Sequence, residues 1–552
     1  MQLTEDQLQA LDEIQKFLLE PFQSTERGSY IITLSGCAGS GKTTLTRELV
    51  KYLKTRRLTV LGVAPTHKAR KVLEKTVNSG TAITQIPTCT VAALLQKLPT
   101  KSYIGSHRYV GQGESKIANY DVIILDEVSM VSDTDFTQIA NYLKIHQRKA
   151  ILVGDPHQIP NPSQQLVRTP QGYIKKDSAG FSQRRIHLNK CIRQDGNPIM
   201  TYTSRLIDFL EGRSDEPDPP QASLLSDDEK TGILVLDSDH FLAHLRDHFV
   251  PDICRVIAYT NDRVRQYNQL IRQTLHRQER YEVDDLMMGY TNIGFPERTI
   301  ENGQDYRIIR ITSTKTHYIR SEETFGPLVG QLVTLLNLST EQEITHFFLE
   351  LYDDHTPNQQ VLLKLIQRAE KVNRIGSTKK DFRSYRSLKD QLLVIESIYK
   401  YQGHVYGETE FHERYPTFTT SLWEVAHEDS KGHRRKYQNK IVEELETAYP
   451  TLLGERLMDD RPFADSEKLC DRFMVMEKDL DYGYAITSHK AQGSTYQNVY
   501  LDEDDFSKIR DRWNYRLNAL EIRTREKTQL RYVAYTRPTH LLIICSSMDS
   551  KS

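Results

Sequence analysis

The chain has 552 residues, with 73 Lys and Arg against 74 Asp and Glu for a net charge of −1. That length exceeds what one hydrophobic core supports and predicts about three or four domains. The balanced charge excludes a whole-chain polyanion-binding surface, so any nucleic-acid site must be a local cleft. Six scattered cysteines without C-x-x-C pairs argue against a zinc site and a disulfide framework. No long uncharged apolar run occurs, and the expectation is a soluble, cytoplasmic protein without membrane association.

In chain order, MQLTEDQLQALDEIQKFLLEPF at 1–22 alternates charge with apolar residues as a surface helix does. The run YIITL at 30–34 predicts a strand, and LTRELVKYL at 45–53 has helical apolar spacing. Between them GCAGSGKT at 36–43 fits G-x-x-x-x-G-K-[ST], a phosphate-binding loop in its required strand-to-helix setting. Backbone N–H groups of Gly36, Cys37, Ala38, Gly39, Ser40, Gly41, Lys42, Thr43 and Thr44 would surround phosphate oxygens. Lys42 would reach the terminal phosphates and Thr43 would ligate Mg²⁺. The apolar runs LTVLGVA (58–64), VIIL (122–125) and AILV (150–153) read as strands of a parallel sheet covered by helices on both faces. From 97 to 120 the chain is rich in glycine, aromatics and base, the pattern of an inserted hairpin.

The strand 122–125 runs into Asp126 and Glu127, at the sheet edge where ligands of open α/β sheets bind. Asp126 suits Mg²⁺ and Glu127 suits orienting and deprotonating an attacking water. The next strand ends in GDPHQIP at 154–160, which offers Gln158 to the γ-phosphate or the lytic water. Charge developing on the γ-phosphate calls for arginines from elsewhere. LNKCIRQ at 188–194 and LRYVAYTR at 530–537 place Arg193 and Arg537 at element ends. A second α/β alternation starts near residue 181, includes CRVIAY at 254–259, resumes at GYAI (483–486) and finishes with LLIIC (541–545). The interruption, roughly 283–475, opens as a small β module with YRIIRI (306–311) and QLVTLL (331–336). Its polar, helical middle carries basic clusters at Lys379, Lys380, Arg383, Arg386 and at Lys431, Arg434, Arg435, Lys436.

Taken together, LTEDQ (3–7), GCAGSGKT, APTHKAR (64–70), TVAALL (90–95), LDEVSM (125–130), GDPHQIP, LNKCIRQ, AYTNDRV (258–264), AITSHKAQGST (485–495) and YVAYTRP (532–538) resemble the ordered motifs of superfamily 1 helicases. The resemblance is to the RecD-like branch that includes the phage Dda helicases. It covers about the first 270 residues and the last 75. In the middle, ENGQDYRIIRI looks like the start of that family's SH3-like module.

The resemblance implies an α/β chain of two RecA-like lobes, with ATP and Mg²⁺ between them and single-stranded DNA across their tops. The first lobe would be 1–97 and 121–181, with a strand-separating hairpin at 98–120. The second would be 182–282 and 476–552, with 283–475 an inserted SH3-like and helical domain. Gln7 would read adenine, and Gln492 and Gly493 would join the nucleotide site. Arg193 and Arg537 would be arginine fingers. Thr66, His67, Lys68, Thr90, Thr487, His489 and Lys490 would grip the strand, and Tyr103, His107 or Tyr109 would stack on the last base pair at a junction. Movement would be 5′ to 3′, by a monomer, with 283–475 available to a replication or repair protein. The sequence departs from the family at Ala92, at Thr495 and at Pro538 and Thr539. The residues alone leave open an RNA helicase, or a nucleotide-gated clamp that never separates strands.

Overall fold

A computed structural model describes residues 3–78, 85–101, 107–111, 115–161, 164, 166–170, 172–189, 197–290, 300–312, 315–317, 328–349, 473–474, 480–514 and 518–546. The chain forms two compact units, 1–97 with 111–280 and 482–552, and 98–110 with 281–481. The first unit is built on two six-stranded sheets. In the first sheet the order is Arg184–Leu188, Ile31–Gly36, Lys149–Gly154, Val122–Leu125, Val60–Ala64 and Thr88–Thr90, with every neighbouring pair parallel. Successive side chains of a strand face opposite sides, so a strand covered on both faces is apolar throughout. Ile32, Leu34 and Val153 pack with Ala10, Ile14 and Phe17 of helix Glu5–Leu19 and Leu45 and Leu49 of helix Lys42–Thr55. Ile31, Val63 and Leu125 pack on the other side with Phe136, Ile139 and Leu143 of helix Asp133–His146.

Two boundaries differ from the sequence expectation. Strand Arg184–Leu188 pairs with the strand before the phosphate loop, so the first lobe runs past residue 181. A short edge strand carries no mark of which sheet it will join, and the register Leu34↔Ile186 supplies it. The hairpin consists of Lys97–Lys101 and His107–Gly111, and the chain is back in the first lobe by Ser115. Ile117 is fully buried in that lobe's core, and Ser115 Oγ donates to Leu94 O at 3.0 Å.

The second sheet has the order Leu224–Leu225, Gly232–Leu236, Pro538–Cys545, Tyr496–Asp502, Cys254–Ala258 and Ala485–Thr487. It is parallel apart from the edge pair. Strands 254–258 and 485–487 are neighbours, so the long interruption falls between two strands that sit side by side. A small four-stranded sheet joins Leu166–Arg168 and Tyr173–Lys175, which follow the first lobe's strands, to the hairpin Ala519–Glu521 and Arg512–Asn514 that precedes the last helix.

The other unit contains a seven-stranded sheet that includes Leu286–Gly289, Asp305–Ile311, Lys315–His317, Leu328–Asn337 and Glu343–Leu349. Tyr306, Ile308, Val333 and Leu335 are fully buried on it. These strands lie within 283–475. The basic clusters at 379–386 and 431–436 lie outside the described residues. No helix among the described residues is long and apolar enough to cross a membrane.

Candidate nucleotide site and strand-binding surface

The phosphate loop leaves strand Ile31–Gly36 and enters helix Lys42–Thr55. Gly39 and Gly41 have φ of +84° and +81°, in the left-handed region where a side chain is strained. A Cβ at Gly36 would lie 2.6 Å from Ser40 Oγ and 3.0 Å from Leu188 O, so the cradle closes only around glycine. Lys42 Nζ donates to Gly36 O at 2.7 Å and Cys37 O at 2.8 Å, folded back over the loop. Thr43 is exposed at its mouth and Thr44 half-buried. Ser40 Oγ is buried and has no hydrogen-bond partner among the described residues. Gln7 is buried and donates from Nε2 to Ser40 O at 3.2 Å, while its Oε1 accepts from Thr4 N at 3.0 Å. It thus ties the N-terminal helix to the loop.

Asp126 and Glu127 follow strand Val122–Leu125, and Glu127 has φ +51°, a strained conformation for a non-glycine residue. Burial raises the Asp126 carboxyl, opposed by the Glu127 N–H that it accepts at 2.9 Å and by Lys42. Burial and the neighbouring Asp126 push Glu127 up as well, against the pull of Lys42 and Arg537. A carboxylate of raised proton affinity beside a cation suits a general base. Asp155 is fully buried, which would push it up, but it is held below its ordinary value by the His157 hydrogen bond, Lys42 and the Tyr532 hydroxyl.

The second lobe meets this edge directly. Helix Thr524–Tyr535 places Tyr532, fully buried, with its hydroxyl donating to Asp155 Oδ2 at 2.6 Å and accepting from Ala38 N at 2.9 Å. Gln492 Nε2 donates to Gln158 Oε1 at 2.9 Å, and Gln529 Nε2 to Gln158 O at 3.3 Å. His157 Nε2 lies 3.0 Å from Glu211 Oε1. Gly493, with φ +78°, continues the turn after Gln492. The buried Arg537 hydrogen-bonds Val533 O, Ser494 O and Thr536 Oγ1 of its own lobe, close enough to Glu127 to be felt electrostatically. Arg193 lies outside the described residues.

Of the residues expected to grip a strand, Thr66, Thr90 and Thr487 each stand between a parallel strand and the helix that follows, at the carboxyl edge of their sheets. Thr66 and Thr90 cap their helices by accepting from Ala69 N and Ala93 N at 3.1 and 3.2 Å. Such caps satisfy a first-turn N–H, and a helix N-terminus favours anionic phosphates. His67 and Lys68 open the first helix, and His489 and Lys490 lie on helix Ser488–Ala491. Burial lowers the His489 pKa, with Lys175 and Arg523 adding to the effect and Glu526 opposing it. His107 and Tyr109 lie on the hairpin strand His107–Gly111, and Tyr103 lies outside the described residues.

A family model described as an AAA domain matches residues 10–208. The uncharacterized protein R530 of Acanthamoeba polyphaga mimivirus is 24% identical over 520 residues, which span 88% of this chain and 90% of that one. The ATP-dependent DNA helicase dda of Enterobacteria phage T4 is 24% identical over 376 residues, 63% of this chain and 80% of the phage protein. Among solved structures, Pif1 helicase from Bacteroides in complex with ADP-AlF3 and single-stranded DNA aligns over 98% of this chain and 92% of its own at 12% identity and TM-score 0.43. Pif1 helicase from Candida albicans aligns over 99% and 94% at 14% identity and TM-score 0.41.

Motif reading of the sequence passed over Asp155, His157 and Tyr532. Their signal lies in burial: a carboxylate ending an apolar strand and a tyrosine inside an apolar helix both need polar partners. Sequence spacing does not say that each is the other's.

Proposed function

We propose that this protein is an ATP-dependent DNA helicase that moves 5′ to 3′ along single-stranded DNA and separates strands at a junction with duplex. The observation that carries the reading is helix Thr524–Tyr535, which touches the phosphate loop through Tyr532 and holds Ser488 of the strand-gripping segment through Leu530 O at 2.8 Å. A nucleotide-binding loop and a strand-binding segment on one rigid element suit a motor more than a static clamp.

In this reading the loop from Gly36 to Thr44 binds the phosphates, Lys42 swings from its carbonyl contacts to the terminal phosphates, and Gln7, Gln492 and Gly493 complete the nucleotide pocket. Thr43 and Asp126 would hold Mg²⁺, which neutralises charge on the phosphates. The glycine cradle, the orphaned Ser40 hydroxyl and the carboxylate pair fit that assignment. Glu127 orients the attacking water and accepts its proton, Gln158 senses the γ-phosphate, and Arg193 and Arg537 stabilise transferring charge. Arg537 must leave part of its own lobe's hydrogen-bond set to do so. Thr66, His67, Lys68, Thr90, Thr487, His489 and Lys490 hold the strand, and the hairpin with Tyr103, His107 and Tyr109 meets the duplex end. The lobes divide as 1–97 with 115–188 and 189–282 with 476–552. We assign the protein to the cytoplasm as a monomer, with 283–475 available to a replication or repair protein.

The test is a fluorescent duplex carrying a 5′ or a 3′ single-stranded tail, incubated with ATP and Mg²⁺ and either wild type or Lys42→Ala. Unwinding of the 5′-tailed duplex alone, lost in the variant, is the expected result. DNA-stimulated hydrolysis without unwinding of either duplex would replace the helicase with a clamp or translocase, and stronger stimulation by RNA of the same sequence would change the substrate.

A further inference from the structure

The geometry points to Tyr532 as the positioning residue through which an occupied strand-gripping segment adjusts the phosphate loop, acting by its hydroxyl on Ala38 and Asp155. This inference rests on the motor reading above and names the contact that couples its two sites.

Helix Thr524–Tyr535 is anchored at three levels. At its start Glu526 pairs with Lys175 at 3.0 Å. One turn on, Leu530 O accepts from Ser488 Oγ at 2.8 Å, and Ser488 is the first residue of the short helix that carries His489 and Lys490. Two residues later the Tyr532 hydroxyl meets the first lobe. Between Leu530 and Tyr532 the helix is fully buried, and Arg531 is clamped by Glu503 at 2.6 Å and by Pro217 O at 2.9 Å. A displacement of the 488–491 segment therefore has a stiff path to the hydroxyl.

At the hydroxyl the partners are specific. A phenol can accept one hydrogen bond and donate another, and this one accepts from the Ala38 N–H of the loop while donating to Asp155 Oδ2. The other carboxylate oxygen, Oδ1, accepts from His157 N at 3.0 Å. The His157 ring packs edge-on against the Tyr532 ring at 5.7 Å. Asp155 and Lys42 feel each other's charge. Tyr532 thus touches the loop backbone and the carboxylate next to the loop lysine at once. Phenylalanine would keep the ring packing and lose both bonds.

The experiment compares wild type with Tyr532→Phe. The first readout is the ratio of kcat for ATP with saturating oligo-dT to kcat without it. The second is the ratio of oligo-dT dissociation constants with and without a non-hydrolysable ATP analogue, since coupling at equilibrium must be reciprocal. The variant is expected to bring both ratios toward one, with the first falling by about tenfold, and an unchanged circular dichroism spectrum. Both ratios kept at wild-type size would overturn the inference, including the case where both kcat values fall by one common factor. Should the variant fail to fold, Ser488→Ala removes the other end of the path and is read by the same two ratios. A wild type that no strand stimulates would refute the motor reading itself, which separates that failure from this one.

Discussion

The Glu526→Gln substitution isolates one charge at a crossing between the lobes. Glu526 is 8% exposed, and its carboxylate accepts from Arg523 Nε at 2.9 Å and from Lys175 Nζ at 3.0 Å. Burial alone would raise its pKa from the usual 4.5. The hydrogen bond from Arg523 and the charge and hydrogen bond of Lys175 instead pull it down to about 2. At about 1.4 kcal/mol per tenfold change in proton affinity, that difference favours the folded state by about 3 kcal/mol when the group is ionised. The folded pKa is the lower one, so this stabilisation is complete above 4.5 and is lost as pH falls toward about 2. Glutamine keeps the size and an acceptor oxygen but not the charge. Urea unfolding followed by circular dichroism should show the variant less stable by about 3 kcal/mol at pH ~7, with the gap reduced to a little over half near pH ~3.5. A variant as stable as wild type at neutral pH, or a gap independent of pH, would refute the reasoning.

Lys42→Ala should abolish ATP turnover while its thermal midpoint stays within a few degrees of wild type, because the Nζ bonds only its own loop's carbonyls. Glu127→Gln should cut turnover by about 10²-fold or more with ATP affinity retained, measured by steady-state hydrolysis beside equilibrium binding of a fluorescent ATP analogue. Arg531→Met should cost about 3–5 kcal/mol in chemical unfolding because it strands the buried Glu503, and Glu503→Leu added to it should recover much of that loss.

Strand runs and the phosphate loop were legible in the sequence because a parallel sheet covered on both faces demands unbroken apolar stretches, which VIIL and AILV supply. The order of motifs also marked the carboxylate pair and the two lobes. The edge strand Arg184–Leu188 escaped assignment because half-exposed RRIHL alternates without naming a partner. Ile117 escaped because a single apolar residue in a polar stretch gives no period. The Tyr532–Asp155 bond joins residues 377 apart in sequence, a pairing that only the folded chain defines.

The small four-stranded sheet sets a limit on movement. Its parallel step pairs Glu521 with Tyr173, and Ile522 N donates to Tyr173 O at 2.8 Å, so the chain segments of both lobes share one narrow ladder. A backbone ladder of this kind, beside the side-chain contacts of Tyr532, Gln492 and Gln529 with the first lobe, leaves few degrees of freedom. Any separation that preserves the ladder must be a swing about it, which makes the distance from Tyr173 to a given residue the lever arm for that residue's travel.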